Sequence, residues 1–201
     1  MYCIHLPIAG VLCTPLNIFA GIMNDILVPA GYGEAEFAEK RSRFIGRVWP
    51  VDSEDTALAL IKETREKFSD ASHNVYAYVI RVGDVSRYSD DGEPGGSSGL
   101  PAMNVLLGEG VSDALCIVTR YFGGVLLGRG GLSRAYSKAV KLALGSAGIS
   151  KMLLLTRLAI CCEYSYYEQA RRILESCGAF AESVDFGANA VIDALCPPDA
   201  M

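Results

Sequence analysis

The sequence predicts an α+β fold in two parts, a larger one ending near residue 150 and a smaller one after it. Three observations carry that prediction. Leu115-Cys116-Ile117-Val118-Thr119 is apolar and largely β-branched, as a buried strand is, whereas Leu132 to Leu144 carries apolar residues at helical spacing. Five glycines between Gly123 and Gly131 separate these two runs, so strand and helix meet at a turn. From Lys151 the alternation begins again as a β-α-β-β run, and 201 residues are long enough for both parts.

Residues 1–22 are almost wholly apolar and contain no Lys or Arg. Their length is marginal for a membrane span, and the positive start of a signal peptide is missing. Pro7, Gly10, Pro15 and Gly21 interrupt the run, although membranes tolerate such residues. The first expectation is a start codon placed too early, with Met23 the true first residue; a membrane anchor comes second and a domain-packing arm third.

The alternating run 42–51 predicts a strand that ends at Pro50. Ser53 then caps a helix with Glu54 and Asp55 in its positive first turn and Ala57, Leu58, Ile61 and Phe68 along its apolar stripe. Residues 75–82 form the next strand, turned at Gly83-Asp84 into a partner over 85–89. Asp90 to Gly99 is too rich in turn formers to be regular, and Pro101 opens a short helix through Leu107. After the central strand and the glycine turn, a helix over 132–147 stops at Gly148. The second part reads as strands over 153–162, 180–186 and 190–195 with a helix over 166–177. It ends at Cys196-Pro197-Pro198-Asp199, a helix start with hardly any chain after it, so its last element is expected to be lacking.

Composition narrows the function. The net charge is −5 and four of those charges lie from Arg157 onward, where seven carboxylates face three arginines. With a pI of about 5.1, a globally basic nucleic-acid coat is excluded, while a local basic face is not. Seven cysteines, with no Cys-x-x-Cys pair and no histidine cluster, support neither a disulfide framework nor a zinc site. Reduced thiols in a cytoplasm fit best, and Cys116, in mid-strand, reads as inert core.

Two loops carry the candidate chemistry. In the first, Arg120 precedes Gly123, Gly124, Gly128, Gly130 and Gly131 at a strand-to-helix turn, where backbone N–H groups and the positive helix end can hold an anion. A tight packing turn is the equal alternative. Arg129-Gly130 stands where a P-loop needs Lys-Ser/Thr, and the dinucleotide Gly-x-Gly-x-x-Gly is absent, so nucleotidase and Rossmann readings fall away. Arg129, Arg134, Lys138 and Lys141 form a row that could meet phosphates or simply be solvated. The second loop crowds Asp90, Asp91 and Glu93 ahead of Ser97 and Ser98. Its spacing is not that of an EF-hand, and arginine partners are expected ahead of a metal. His73 is expected to be structural first and a base second. No metal site and no cofactor is expected.

Four ordered motifs then carry a resemblance. Ser42-Arg43-Phe44, Ala71-Ser72-His73-Asn74, Ser89 through Pro101 and Arg120 through Tyr136 resemble the signatures of the Impact/YigZ family, over about residues 33–148. Leu126 stands where the family has lysine, Ser97-Ser98 where it has Thr-Ala, and Ser72 where it has Thr. The apolar extension over 1–30 has no family counterpart over residues 1–22, in keeping with a start codon placed too early; the resemblance implies an Impact-type two-layer α/β sandwich over 31–150, similar to domain 2 of a ribosomal protein, and a partial ferredoxin-like domain over 151–201. It implies a cytoplasmic, translation-associated regulator that binds RNA, the ribosome or a translation-related protein. The alternative is an enzyme, or a binder of a nucleotide or phosphorylated metabolite, with a cleft between the Asp90–Glu93 loop and the Gly123–Gly131 turn. Membrane contact is expected only if residues 1–22 are genuine.

Overall fold

The computed structural model describes residues 12–15, 26–153 and 155–197. In chain order it contains strands β1 (Leu12–Pro15), β2 (Ile26–Pro29), β3 (Gly33–Glu39) and β4 (Ser42–Pro50), helix α1 (Glu54–Lys67), and strands β5 (His73–Ile80) and β6 (Val85–Ser89). Helix α2 (Gly99–Gly108), strand β7 (Ala114–Tyr121), helix α3 (Arg129–Ala147) and strands β8 (Ile149–Met152) and β9 (Thr156–Cys162) follow. Helix α4 (Tyr167–Ser176) and strands β10 (Phe180–Phe186) and β11 (Ala190–Cys196) complete an α+β protein. Two compact units result, one spanning Asp25–Met152 and one built from Leu153–Met201 with β1.

The first unit is organised on β7, whose residues from Ala114 to Arg120 are all buried. It lies at the centre of an antiparallel sheet ordered β3-β4-β7-β5-β6. Because side chains alternate across a strand, β7 feeds two cores. Cys116 and Val118 join Phe44, Val48, Val75 and residues of α2 and α3 on one face. Leu115 and Ile117 join Tyr78, Ile80 and the α1 residues Ala57 and Ile61 on the other. Helix α1 starts as the sequence predicts, with Ser53 Oγ accepting from the Thr56 N–H at 3.3 Å and Glu54 and Asp55 in the first turn. Burial pushes the Cys116 thiol up to about 12, so it is an unreactive part of the core.

Two features of this unit depart from the sequence pattern. Residues 33–39, poor in strand formers, become β3 because β4 supplies the pairing, with Phe37 opposite Phe44. Helix α3 begins at Arg129 rather than at residue 132 and takes Gly130 and Gly131 into its first turn. The Leu132 N–H already bonds to the Gly128 carbonyl at 2.9 Å, so the helical ladder starts before the apolar stripe does.

In the second unit the sheet order is β1-β9-β11-β10, antiparallel throughout. Ala170 and Leu174 of α4 pack on Leu158, Ile160, Ile192 and Ala194. The edge beside β9 is held by β1, with Leu12 opposite Cys161 and Pro15 opposite Leu158. Apart from this strand, the readings of residues 1–22 fall outside the described residues. No helix among the described residues is long and apolar enough to cross a membrane.

Candidate functional site

Strand register begins the site. Arg120, at the end of β7, lies opposite His73 of β5 on one side and Phe44 of β4 on the other. All three project on the face that carries α3, just beyond the N-terminal end of that helix. The loop between β6 and α2 folds over them.

That loop is held by its own carboxylates. Asp90 Oδ1 accepts from the Ser98 N–H at 3.0 Å, the Ser98 hydroxyl at 2.6 Å and the Gly99 N–H at 2.8 Å, while Oδ2 accepts from the Gly96 N–H at 2.7 Å. Burial alone would push the Asp90 carboxyl up, but these four hydrogen bonds outweigh it and hold the group below the usual aspartate range. Asp91 receives Arg65 Nη2 and the Asn74 N–H, each at 2.6 Å, with its backbone at φ 46°. Asp90 and Asp91 are thus separately engaged, Asp90 by donors of its own loop and Asp91 by Arg65 and the Asn74 N–H. Among the described residues no cluster of His, Cys, Asp and Glu could hold a metal ion.

Glu93 alone of the three points inward. Its side chain is 3% exposed and that of Arg120 5%. Arg120 Nη1 donates to Glu93 Oε1, and the Tyr136 hydroxyl of α3 donates to the same oxygen at 2.7 Å. Burial, reinforced by Glu93, raises the Tyr136 phenol far above its ordinary range, so it remains a donor. Arg120 Nη2 donates to Ser42 Oγ at 3.3 Å, whereas the buried Nε–H has no partner. His73 Nδ1 lies 2.7 Å from the Asp91 carbonyl, which can only accept, so Nδ1 carries the proton. Nε2 is left facing Glu93 Oε1 at 3.9 Å.

The glycine turn forms the opposite wall. Gly123 is required by close approach: a Cβ there would lie 2.0 Å from the Arg41 carbonyl oxygen. Gly128 caps α3 at φ 71°, a conformation glycine adopts without strain. Gly124 belongs to the turn, and Gly130 and Gly131 to the first turn of α3. Arg129 Nη2 donates to the Gly95 carbonyl at 2.7 Å and ties the turn to the acidic loop. Between the two loops lies a cleft of about 630 Å³, with His73, Glu93 and Arg120 at its base and Phe122, Leu126 and Leu132 among its apolar lining.

The structure does not bring the whole basic row to this cleft. Arg134 is exposed but lies back against the head of α3, its Nη1 3.5 Å from where a Gly130 Cβ would be. Lys138 Nζ sits 4.4 Å from the Phe37 ring centroid and Lys141 Nζ 3.9 Å from Glu109, both away from the cleft. Ser42, Ser72, Phe122 and Tyr136 are site residues that pattern reading does not single out. Ser42 and Tyr136 were still visible as the first and last members of quoted motifs.

Comparison with known proteins gives the relatives of this chain. The profile of the Impact N-terminal domain matches residues 40–144. The IMPACT family member YigZ of Escherichia coli is 33% identical over 178 residues, covering 87% of each chain. The IMPACT family member YvyE of Bacillus subtilis is 34% identical over 158 residues, 78% of this chain and 73% of that one. A crystal structure described as a hypothetical protein superposes with a TM-score of 0.63 at 31% identity, covering 89% of this chain and 88% of the other. The family profile spans β4 to α3, the elements that build the cleft, and with the full-length similarity it shows that this chain belongs to the IMPACT family.

Proposed function

We propose that this protein is a translation-associated regulator that acts by binding, and that its cleft seats a phosphate group of the ligand. The observation that carries this is Arg120, a buried guanidinium that lines the cleft, with Nη1 and Nη2 partnered and Nε unpartnered. A buried donor without an acceptor costs stability, and a phosphate oxygen supplies the acceptor. The N–H groups at the head of α3, with Arg129 beside them in the cleft wall, add positive potential. Arg120 and Glu93 cancel as an ion pair, so the charge that favours an anion comes from Arg129 and the helix head.

RNA is one source of that phosphate, in keeping with the translation regulation that the family resemblance implies. A nucleotide or phosphorylated metabolite is the second, and the cleft volume of about 630 Å³ favours it, being the size of small-molecule sites. Filter binding to a single-stranded RNA, together with thermal shifts in inorganic phosphate and in AMP, separates the two. The expected result is a rise in melting temperature with phosphate, lost in Arg129→Glu. RNA binding that weakens steeply with salt supports the first source. Silence with RNA at low salt, alongside a shift with AMP, transfers the function to a small ligand. No response to any phosphate overturns the reading.

A further inference from the structure

We infer that the cleft selects a phosphate monoester whose ester group is a planar apolar body, as in an aryl phosphate or a nucleotide, and that Phe122 and Leu126 are its specificity residues. This rests on the phosphate reading above and specifies the rest of the ligand. The starting observation is exposure. Phe122, Val125 and Leu126, within one five-residue stretch, are 47%, 37% and 82% exposed. Single exposed apolar side chains are ordinary, but two of these three, Phe122 and Leu126, line the same cleft and leave apolar surface in water there.

The segment that presents them is fixed at its start. The Phe122 N–H donates to Ser72 Oγ at 3.1 Å and the Gly123 N–H to Ser42 Oγ at 3.3 Å. The Gly123 backbone is also pressed against Arg41, leaving no room for a side chain. Phe122 is therefore held in place, with its ring centroid 5.4 Å from the Arg120 guanidinium carbon. On the far side Leu126, Leu127 and Leu132 continue the apolar lining toward the head of α3.

Charge and apolar surface thus share one cleft. Inorganic phosphate would satisfy the base and leave the wall in contact with water. A ligand with a flat ring next to its phosphate covers both, because a ring stacks on the face of Phe122 while its edge packs on leucine side chains. A second charge on the ligand at the position of Leu126 would meet no partner, so a compact monoester fits better than an extended polyanion.

Isothermal titration of the full chain with inorganic phosphate, methyl phosphate and phenyl phosphate tests this. Phenyl phosphate is expected to bind about tenfold or more tighter than inorganic phosphate, the ratio that one stacked ring supplies. Phe122→Ala should remove that advantage while keeping the affinity for inorganic phosphate, which also reports that the variant is folded. Leu126→Ala, at a more exposed position, should reduce the advantage in part. If inorganic phosphate binds and phenyl phosphate gains nothing, or methyl phosphate gains as much, the inference is overturned and the phosphate reading stands. An advantage that survives Phe122→Ala likewise overturns it. If none of the three binds, the phosphate reading falls and the inference falls with it.

Discussion

Asp90 gathers four donors from within nine residues of its own loop, and Glu93, three residues on, is thereby aimed at Arg120. Asp90→Ala leaves the Gly96, Ser98 and Gly99 N–H groups without their acceptor. Equilibrium urea unfolding should show a loss of roughly 1–3 kcal/mol, and an unchanged midpoint would contradict this role. The pH dependence follows in sign. The folded carboxyl sits below its ordinary value of about 3.9, so its stabilisation is present above that value and is lost as pH falls through the folded one. The wild-type protein should therefore lose stability on acidification in a step that Asp90→Ala lacks. At this scale the sequence shows which side chains carry charge but not where they point. Asp90, Asp91 and Glu93 look alike in the loop, yet only Glu93 faces the cleft, because Asp91 is drawn off by Arg65 and the Asn74 N–H. Tyr136 shows only as part of a helical stripe, and its bond to Glu93 spans 43 positions.

Among the elements, the turn between β7 and α3 has the least tolerance. Gly123→Ala places a methyl against the Arg41 carbonyl, a backbone atom that cannot move without shifting the β3–β4 hairpin. Its cost should exceed about 3 kcal/mol in urea unfolding, with the slope m unchanged. A Gly124→Ala comparison, where nothing lies within 4 Å of an added methyl and only the cost of a positive φ applies, should destabilise less. The strongly patterned elements were legible: the apolar run of β7, the capped start of α1 and the Gly83-Asp84 hairpin all stand within a few residues of their predicted bounds. Strand β3 was not, because its Glu-rich sequence has little strand preference and takes its form from β4. The short β8 escaped notice for the related reason that all four of its residues are exposed and leave no apolar alternation to read.

At the scale of the molecule, each unit has a core of its own, around α2, α3 and α1 in one and around α4 in the other. Residues 25–152 produced alone should therefore unfold in one cooperative transition and bind inorganic phosphate as the full chain does, because every cleft residue lies within them. A fragment with native-like circular dichroism in the far ultraviolet but no cooperative melt would contradict this. The pairing of β1 with β9 joins positions nearly 150 residues apart and leaves no local signal in the sequence. The claim on which the function rests is that the unpartnered Arg120 Nε–H receives a phosphate oxygen. Its direct test is the arginine side-chain region of the ¹H–¹⁵N spectrum during titration with inorganic phosphate. The account predicts a saturable shift of the Arg120 Nε–H resonance, absent when sodium chloride is added at equal ionic strength; a resonance unmoved by phosphate at every concentration would contradict it.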